Sequence, residues 1–313
     1  MATMKAVRIH EYGGPEVLVL ENVPRPEPGM GEILIRVHAA AVNPLDWKVR
    51  SGSQKERLNH KLPLILGWDV SGVVESLGTG TKSPAVGTEV FARLDTRRDG
   101  AYAEFAVSDA RIVAKKPSSL DHVHAASAPL ASLTAWQALF EAGRLAAGQR
   151  VLVHGAAGSV GAFAVQFAKQ KGAWVAGAAK GADIESVSAS GADQVVDYDA
   201  GPFEQRISPV DVVLDVIGGE IQERSLKVLR KGGILVSTVG INVASEAKAR
   251  GIEAKEFWVR SDGDQLSQIS RLIDAGRLGF RVGTVLPLAK AREAHELAES
   301  VRARGKVVLR VKD

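Results

Sequence analysis

The sequence predicts an α/β fold in which a doubly wound parallel sheet is inserted into a β-barrel domain. The chain has 313 residues, too many for one ordinary core and suited to two domains. Short strand patterns fill its first part and its tail, whereas strands and helices alternate in the middle. We assign residues 1–122, completed by 277–313, to the barrel and residues 123–276 to the parallel sheet.

The first part has the strand pattern typical of a barrel. Its apolar or alternating segments are separated by Gly, Pro and Asp, as short strands and their turns are. These segments are residues 32–39, 70–75, 88–92 and 102–107.

The middle part alternates between helix and strand. Residues 123–147 are alanine-rich and helical in period, with a break at Pro129. Five strand patterns follow, at residues 150–154, 173–178, 194–196, 210–216 and 233–239. Each is separated from the next by a stretch long enough for a helix, which predicts a parallel, doubly wound sheet.

The tail returns to the strand-rich pattern. A helix near residues 265–275 precedes a strand at 282–286, a helix at 290–301 and a strand at 306–311. We expect these last elements to complete the barrel domain.

Composition excludes several classes of protein. The chain has no cysteine, which excludes disulfides, cysteine nucleophiles, iron–sulfur clusters and cysteine-ligated zinc. Its net charge of +4 comes from scattered basic residues, which indicates a solvated surface and no nucleic-acid partner. No apolar run approaches the roughly 18 residues of a membrane span, and residues 1–10 begin directly as a strand pattern. The sequence therefore predicts a cytoplasmic protein with no membrane association.

A glycine-rich turn between a buried strand and an amphipathic helix indicates a phosphate loop. Gly158 would let the backbone approach a pyrophosphate, and Gly161 would let the helix pack closely on the strand. The usual G-x-G-x-x-G spacing has Ala156 at its first glycine, with Gly155 one place earlier. We predict dinucleotide binding here; the alternative is a purely structural turn. The predicted binding residues are Gly155, Ala156, Ala157, Gly158, Ser159, Val160 and Gly161.

The end of the next strand indicates which dinucleotide binds. NAD sites place an acidic residue there to accept hydrogen bonds from the ribose hydroxyl. This strand ends instead in Ala178, Ala179 and Lys180, and a lysine suits a 2′-phosphate. Asp183 lies three residues later, and Lys180 as a solvated loop residue is the alternative. We predict NADPH.

Several motifs, in one order along the chain, resemble a known family. They are M-K-A-V-R-I-H-E-Y-G-G-P-E-V-L near the start, A-A-A-V-N-P-L-D-W-K-V-R-S-G, L-G-W-D-V-S-G-V-V, L-T-A-W-Q-A-L, the phosphate loop and the closing G-K-V-V-L. Together they resemble the quinone oxidoreductase, or zeta-crystallin-like, branch of the medium-chain dehydrogenase/reductase superfamily. The resemblance covers essentially the whole chain and implies a Rossmann domain inserted in a GroES-like catalytic domain.

The chain departs from the zinc alcohol dehydrogenases of this superfamily at both ligand motifs. Asn43 stands where they carry a ligating Cys, and Gly67–Trp68–Asp69 stands where they carry G-H-E. An amide and an indole make a poor zinc site, and the four-cysteine zinc lobe is absent. We interpret His122 and His124 as a helix-start pair, and we predict no metal.

The resemblance also implies site residues. Asn43, Asp46 and Trp47 match the segment beside the nicotinamide, and Thr134 matches a threonine that meets the cofactor. Lys180 and Tyr198 match the part that holds the adenosine phosphate, and the strand lining the nicotinamide half contributes Ser237, Val239 and Gly240. Asp46 as a helix cap, Trp47 as core filler and Tyr198 as a turn residue are the structural alternatives.

The expected reaction is NADPH-dependent reduction of a quinone or an α,β-unsaturated carbonyl without zinc. A conjugated acceptor needs little polarisation, and its developing oxyanion needs hydrogen-bond donors, for which Asn43, Lys48 and backbone N–H groups are candidates. Water could supply the proton, so no obligate acid is assigned. The alternatives are a specialised enoyl reductase of a biosynthetic pathway and a catalytically idle, NADPH-binding crystallin-like protein. The alternating stretch 251–259 has the pattern of an edge strand, from which we predict a homodimer.

Overall fold

The computed structural model describes residues 2–300 and 305–312 and divides the chain into two compact units. The first unit comprises residues 1–130, 261–276 and 281–313, and the second comprises residues 131–260 and 277–280. Residues 123–130 and 261–276, which we assigned to the inserted domain, are grouped with the first unit. In the first of these segments the Leu130 N–H donates to Asp69 Oδ1 over 2.9 Å, and in the second the Ser270 hydroxyl donates to the Lys115 carbonyl over 3.1 Å.

The described residues form sixteen strands. In chain order they are β1 (Thr3–Ile9), β2 (Val19–Pro24), β3 (Glu32–Ala41), β4 (Leu64–Ile65), β5 (Asp69–Leu77), β6 (Glu89–Arg93), β7 (Phe105–Asp109), β8 (Val113–Lys115), β9 (Arg150–His154), β10 (Trp174–Ala179), β11 (Gln194–Asp197), β12 (Val210–Asp215), β13 (Leu229–Ser237), β14 (Glu253–Glu256), β15 (Val282–Pro287) and β16 (Lys306–Arg310).

Ten α-helices join them in the described part of the chain. They are α1 (Pro44–Arg50), α2 (Lys55–Leu58), α3 (His122–Ala126), α4 (Pro129–Gln137), α5 (Ser159–Gln170), α6 (Ile184–Ala189), α7 (Glu220–Ser225), α8 (Ala244–Ala249), α9 (Gly263–Asp274) and α10 (Ala291–Glu299). None of these helices is long and apolar enough to cross a membrane.

The first unit is the predicted GroES-like, strand-rich domain. Its larger sheet has the order β15-β16-β3-β5-β6-β8, with β7 paired to β3, and a small sheet has the order β2-β1-β4. All pairs are antiparallel except β15 with β16. The core of the unit includes the fully buried rings of Trp68 and Tyr102.

The tail belongs to this sheet, as the sequence predicted. Strand β16 runs antiparallel to β3, with Leu309 opposite Ala40 and Val308 opposite Ala41. The Val42 N–H donates to the Val307 carbonyl over 2.9 Å. This pairing brings the start of β16 beside Asn43, where α1 begins.

The second unit is a parallel Rossmann sheet, which confirms the predicted fold class. Its six strands have the order β11-β10-β9-β12-β13-β14, and every neighbouring pair is parallel. The first strand, β9, is buried on both sides, which explains its continuous apolar run Val151–Leu152–Val153. The strand order reverses between β9 and β12, and ligands of doubly wound sheets bind at the carboxyl ends of the strands on either side of such a point.

Candidate cofactor loop and buried polar cluster

The predicted phosphate loop joins β9 to α5 at the carboxyl edge of the parallel sheet. Gly155 has a φ of +63°, a conformation that favours glycine. The Ala156 N–H donates to the Ala178 carbonyl of β10 over 3.1 Å, and the Gly158 N–H donates to the Gly155 carbonyl over 2.9 Å. These two bonds fix the turn on the sheet.

The two glycines that follow have different structural roles. A Cβ added to Gly161 would lie 2.2 Å from the Gly155 carbonyl oxygen and 2.6 Å from Ala156 Cα, so Gly161 is required for packing of the helix on the loop. A Cβ added to Gly158 would meet only the Gly155 oxygen, at 3.3 Å. Gly158 therefore faces space into which another molecule can approach the backbone.

The start of α5 offers an anion site beside Gly158. The first N–H groups of a helix, here those of Ser159, Val160 and Gly161, have no carbonyl partner within the helix. The positive end of the helix dipole lies at the same place. Together with the open backbone at Gly158, this geometry fits the diphosphate of a dinucleotide.

A buried histidine, missed by the sequence reasoning, connects the loop to Tyr198. The Ser225 hydroxyl donates to the Ile221 carbonyl over 2.6 Å, so its oxygen accepts from His154 Nε2 over 2.8 Å. His154 Nδ1 then accepts from the Tyr198 hydroxyl over 2.7 Å, and the tyrosine oxygen accepts from the Gly155 N–H. Burial lowers the pKa of His154 to about 4, which keeps the ring neutral. Tyr198 is thus tied to the phosphate loop itself.

The end of β10 carries the predicted Lys180, which is exposed. An acidic side chain does lie near this strand end, because Asp197 of the neighbouring β11 accepts from the Gly181 N–H over 3.3 Å and from the Asp199 N–H over 2.9 Å. The sequence analysis did not anticipate this carboxylate, since it comes from another strand. Asp183, which it did consider, is exposed.

The turn after β13 is held by an internal network. The Ser237 hydroxyl donates to Asp215 Oδ2 over 2.8 Å and accepts from the Val239 N–H over 3.2 Å. Gln222 Nε2 donates to Asp215 Oδ2 and to the Gly240 carbonyl, each over 2.8 Å. The Ser237 hydroxyl therefore positions the turn, while Val239 is 40% exposed. The remaining predicted residue of this unit, Thr134, is buried in α4.

The other predicted residues lie in the first unit, at the start of α1. Asn43 precedes the helix, and its N–H donates to Asp46 Oδ2 over 2.6 Å, so Asp46 does cap its own helix. Both side chains are 1% exposed. Trp47 is half-buried and packs against the core, and Lys48 is half-buried.

Two charged residues fix the orientation of the Asn43 amide. Lys306 Nζ, which can only donate, bonds to Asn43 Oδ1, and Asn43 Nδ2 donates to Asp69 Oδ2 over 3.0 Å. Asp69 Oδ1 accepts from the Leu130 N–H over 2.9 Å. Lys306 and Asp69 lie in the G-K-V-V-L and L-G-W-D-V-S-G-V-V motifs, but the sequence indicated a role for neither residue.

Burial dominates the electrostatics of this polar cluster. It raises the pKa of Asp46 to about 7 and that of Asp69 to about 6, against the opposing effect of the Lys306 ammonium. Burial also lowers the pKa of Lys306, while the two carboxylates act in the opposite direction. Asp46 and Asp69 therefore hold a proton more readily than exposed carboxyl groups do.

A second chain of bonds leads away from Asp46. The Tyr102 hydroxyl donates to Asp46 Oδ2 over 3.1 Å, and His295 Nε2 lies 3.2 Å from the tyrosine oxygen. Arg50 Nη1 lies 2.9 Å from His295 Nδ1, and Arg50 Nη2 donates to Glu299 over 2.7 Å. Tyr102 and His295 are fully buried, and the sequence analysis named neither.

Comparison with known proteins shows the family to which the chain belongs. Residues 29–118 match the family described as alcohol dehydrogenase GroES-like domain, and residues 190–309 match the one described as zinc-binding dehydrogenase. The human mitochondrial NAD(P)H oxidoreductase RTN4IP1 is 34% identical, with 98% of this chain and 89% of that protein covered. The chain belongs to the medium-chain dehydrogenase/reductase superfamily.

Within this superfamily the chain is similar to proteins named for quinones and alkenals. The solved quinone oxidoreductase from Coxiella burnetii superposes with a TM-score of 0.92 at 33% identity, covering 99% of this chain and 100% of that one. The NADPH-dependent alkenal/one oxidoreductase of Arabidopsis thaliana chloroplasts is 33% identical, with 98% of this chain and 79% of that protein covered. The resemblance to the quinone oxidoreductase branch is thereby confirmed.

The protein is accordingly an NAD(P)H-dependent oxidoreductase of the medium-chain dehydrogenase/reductase superfamily. The predicted NADPH agrees with the name of the Arabidopsis relative, and a solved mycobacterial structure, 30% identical with a TM-score of 0.88, is complexed with NADPH. We interpreted His122 and His124 as a helix-start pair, and helix α3 begins at His122. Across residues 2–300 and 305–312, no three His, Asp or Glu side chains group as metal ligands would.

Proposed function

We propose that the protein reduces quinones or α,β-unsaturated carbonyls by hydride transfer, using NADPH and no zinc. The observation that carries the proposal is near full-length similarity to a quinone oxidoreductase and to an alkenal/one oxidoreductase. The open backbone at Gly158 beside the start of α5 supports the cofactor part of the proposal. Bound NADPH would supply the hydride. The chain would bind and orient the cofactor and the substrate, and it would exclude water from the site.

The proposed cofactor site includes the phosphate loop and the carboxyl ends of strands β10, β11 and β13. Lys180 would bind the 2′-phosphate, and Tyr198 would hold the loop through His154 and Gly155. The full proposed set is Asn43, Thr134, Gly155, Ala156, Ala157, Gly158, Ser159, Val160, Gly161, Lys180, Tyr198, Ser237, Val239 and Gly240.

The proposed catalytic residues are Asn43, Asp46, Trp47 and Lys48. Asn43 Nδ2 carries two hydrogens, and Asp69 takes one of them, which leaves one N–H for an oxygen of the substrate or the nicotinamide. Because Lys306 and Asp69 hold the amide, this donor needs no reorientation when charge develops on the substrate. A conjugated acceptor delocalises that charge onto its carbonyl oxygen. A hydrogen bond from the fixed Asn43 amide can therefore stabilise the charge without a stronger polarising group.

We also propose a homodimer and a cytoplasmic location. Strand β14 pairs with β13 and is the last strand of the parallel sheet in the described part of the chain, and edge strands of this kind can pair with a second copy. Its Glu253 and Lys255 side chains form an ion pair with each other over 2.8 Å. The human relative's name places that protein in mitochondria, which does not fix the compartment of this one.

The test is NADPH oxidation by chelator-treated protein with a panel of quinones and enones. We expect turnover with several of them, and Asn43→Ala, which removes the held N–H donor, should lower kcat by about 10²–10³-fold. Turnover confined to carrier-bound enoyl substrates would show the specialised enoyl reductase instead. Tight NADPH binding with no turnover, or activity that returns only with added zinc, would contradict the proposal.

A further inference from the structure

We propose that Asp46 is the acid of the reduction, that it donates the proton on its Oδ1 atom to the α-carbon of a reduced enone, and that Tyr102 and His295 position it. This inference rests on the proposed function and adds to it the source of the proton. It follows from the way in which the two oxygens of one buried carboxyl group are bonded.

The two oxygens of Asp46 have very different surroundings. Oδ2 accepts two hydrogen bonds, from the Asn43 N–H over 2.6 Å and from the Tyr102 hydroxyl over 3.1 Å. Oδ1 is buried and has no hydrogen-bond partner in the part of the chain that the structure describes. A buried, unpartnered carboxylate oxygen is costly, so Oδ1 must hold a proton or meet a donor or acceptor of a bound molecule. Since both donors approach Oδ2, the proton of the neutral acid belongs on Oδ1.

The direction of the hydrogen bonds around Tyr102 is fixed from the far side. Arg50 can only donate, so His295 Nδ1 is an acceptor and His295 Nε2 carries the hydrogen. That hydrogen is donated to the Tyr102 oxygen, which leaves the tyrosine hydroxyl to donate to Asp46. Burial lowers the pKa of His295 to about 3, which keeps the ring neutral and this direction unchanged. Tyr102 and His295 therefore act through Asp46, as positioning residues.

Charged groups from every neighbouring element act on Asp46. Asp69 on β5 raises its pKa, whereas Lys306 on β16 and the Tyr102 hydroxyl lower it, and Arg93 on β6 is also electrostatically coupled to it. Arg50, on the same helix, is tied to His295 and Glu299. Burial is the largest effect and brings the pKa to about 7, the range in which a general acid works best at neutral pH.

The proton balance shows where this acid is needed. The β-carbon of an enone accepts a hydride, its carbon–carbon π bond breaks, and the electron pair moves to the carbonyl oxygen as an enolate. The proton then leaves Asp46 Oδ1 for the α-carbon, forming a C–H bond and a carboxylate, which a solvent proton restores. A reduced quinone takes its protons on oxygen, which water exchanges readily without a placed acid. Asp46 should therefore matter most for carbon protonation.

The first test is Asp46→Asn, which keeps the shape and the acceptor for both donors but has no acidic proton. We expect kcat for an α-substituted enone to fall about 10²–10⁴-fold, and quinone turnover to fall much less. In D₂O the wild type should place deuterium on one face of the α-carbon, and D46N should give both faces. Asp264→Asn, a change at an exposed aspartate, is the matched control and should behave as the wild type.

The second test is Tyr102→Phe, which removes a donor to Asp46 Oδ2. Since that hydrogen bond lowers the pKa of Asp46, its loss should move the midpoint of the kcat–pH profile upward. Full enone turnover and single-face deuteration by D46N would overturn the inference, and so would an unmoved midpoint in Y102F if D46N fails to fold. A wild-type protein that oxidises no NADPH with any acceptor would overturn the proposed function as well, which separates the two failures.

Discussion

Substituting Gly158 by Ala separates cofactor binding from folding at the phosphate loop. Gly158 has φ −73° and ψ 168°, which alanine adopts without strain. The added Cβ would meet only the Gly155 oxygen, at 3.3 Å, a slightly tight contact. Alanine also restricts the unfolded chain, which stabilises by about 0.4–1 kcal/mol where the conformation suits it. We therefore expect the free energy of unfolding to change by less than about 1 kcal/mol.

The same Cβ occupies the space into which the diphosphate would approach. Displacing one phosphate oxygen from a backbone N–H removes a hydrogen bond to a charged group, worth about 1.5–3 kcal/mol. The dissociation constant for NADPH should then rise about 10- to 150-fold, at 1.4 kcal/mol for each factor of ten. The steric effect on the cofactor thus exceeds the effect on the fold.

Isothermal titration with NADPH, together with thermal unfolding of the same samples, measures both quantities. Gly279→Ala is the control in the same unit, since its Cβ would have only Gln166 nearby, at 3.9 Å, and its backbone conformation suits alanine. Unchanged NADPH affinity in G158A, with G279A also unchanged, would refute the placement of the diphosphate at this loop.

Three further outcomes follow from the same structure. Gly161→Ala should lower the free energy of unfolding by about 1–3 kcal/mol, because its Cβ would meet backbone atoms that cannot move away. Denaturant titration measures this free energy, and an unchanged value would contradict the expected clash. His154 has a folded pKa of about 4 against 6.5, so the unfolded state binds its proton first, and stability should fall by up to about 3 kcal/mol from pH 6.5 to 4. His154→Asn should flatten that part of the stability–pH curve, and an equally steep curve would argue against it. Light scattering should give the mass of two chains, and a one-chain mass would exclude the homodimer.

The sequence predicts well those features that neighbouring residues determine. The glycine turn between β9 and α5 and the alternation of strand and helix depend on residues within one or two elements of each other. The helix cap by Asp46 is equally local, although the sequence offered it only as the alternative to a functional role. The return of the tail to the first unit is also predictable, because the strand pattern of 306–311 stands apart from the helix before it.

The polar cluster around Asn43 depends on contacts that no local pattern records. Lys306 is 263 residues from Asn43, and His295 is 193 residues from Tyr102. Lys306 lies in an apolar strand pattern, where one lysine looks like an edge residue. Only the pairing of β16 with β3 shows that its ammonium is buried beside a carboxylate and an amide.

The acidic residue near the end of β10 shows the same limit on a smaller scale. The choice between NAD and NADPH is predicted from the residues at the end of one strand, here β10. Asp197 reaches that place from β11, through a parallel pairing that puts Ala179 opposite Asp197. Its carboxylate is engaged by two backbone N–H groups, whereas Lys180 and Asp183 are both exposed at this edge.

Direct hydride transfer from a bound cofactor is tested most directly by following one hydrogen atom. Chelator-treated protein is given NADPH carrying deuterium on one or the other face of the nicotinamide C4, with an enone as acceptor, and the product is analysed by mass spectrometry. If NADPH is held in one orientation and passes its hydride directly, one of the two deuterated forms, and not the other, raises the product mass by one at the β-carbon. Product formed with no deuterium from either form, or equally from both, would contradict a cofactor held in one orientation and passing a hydride directly.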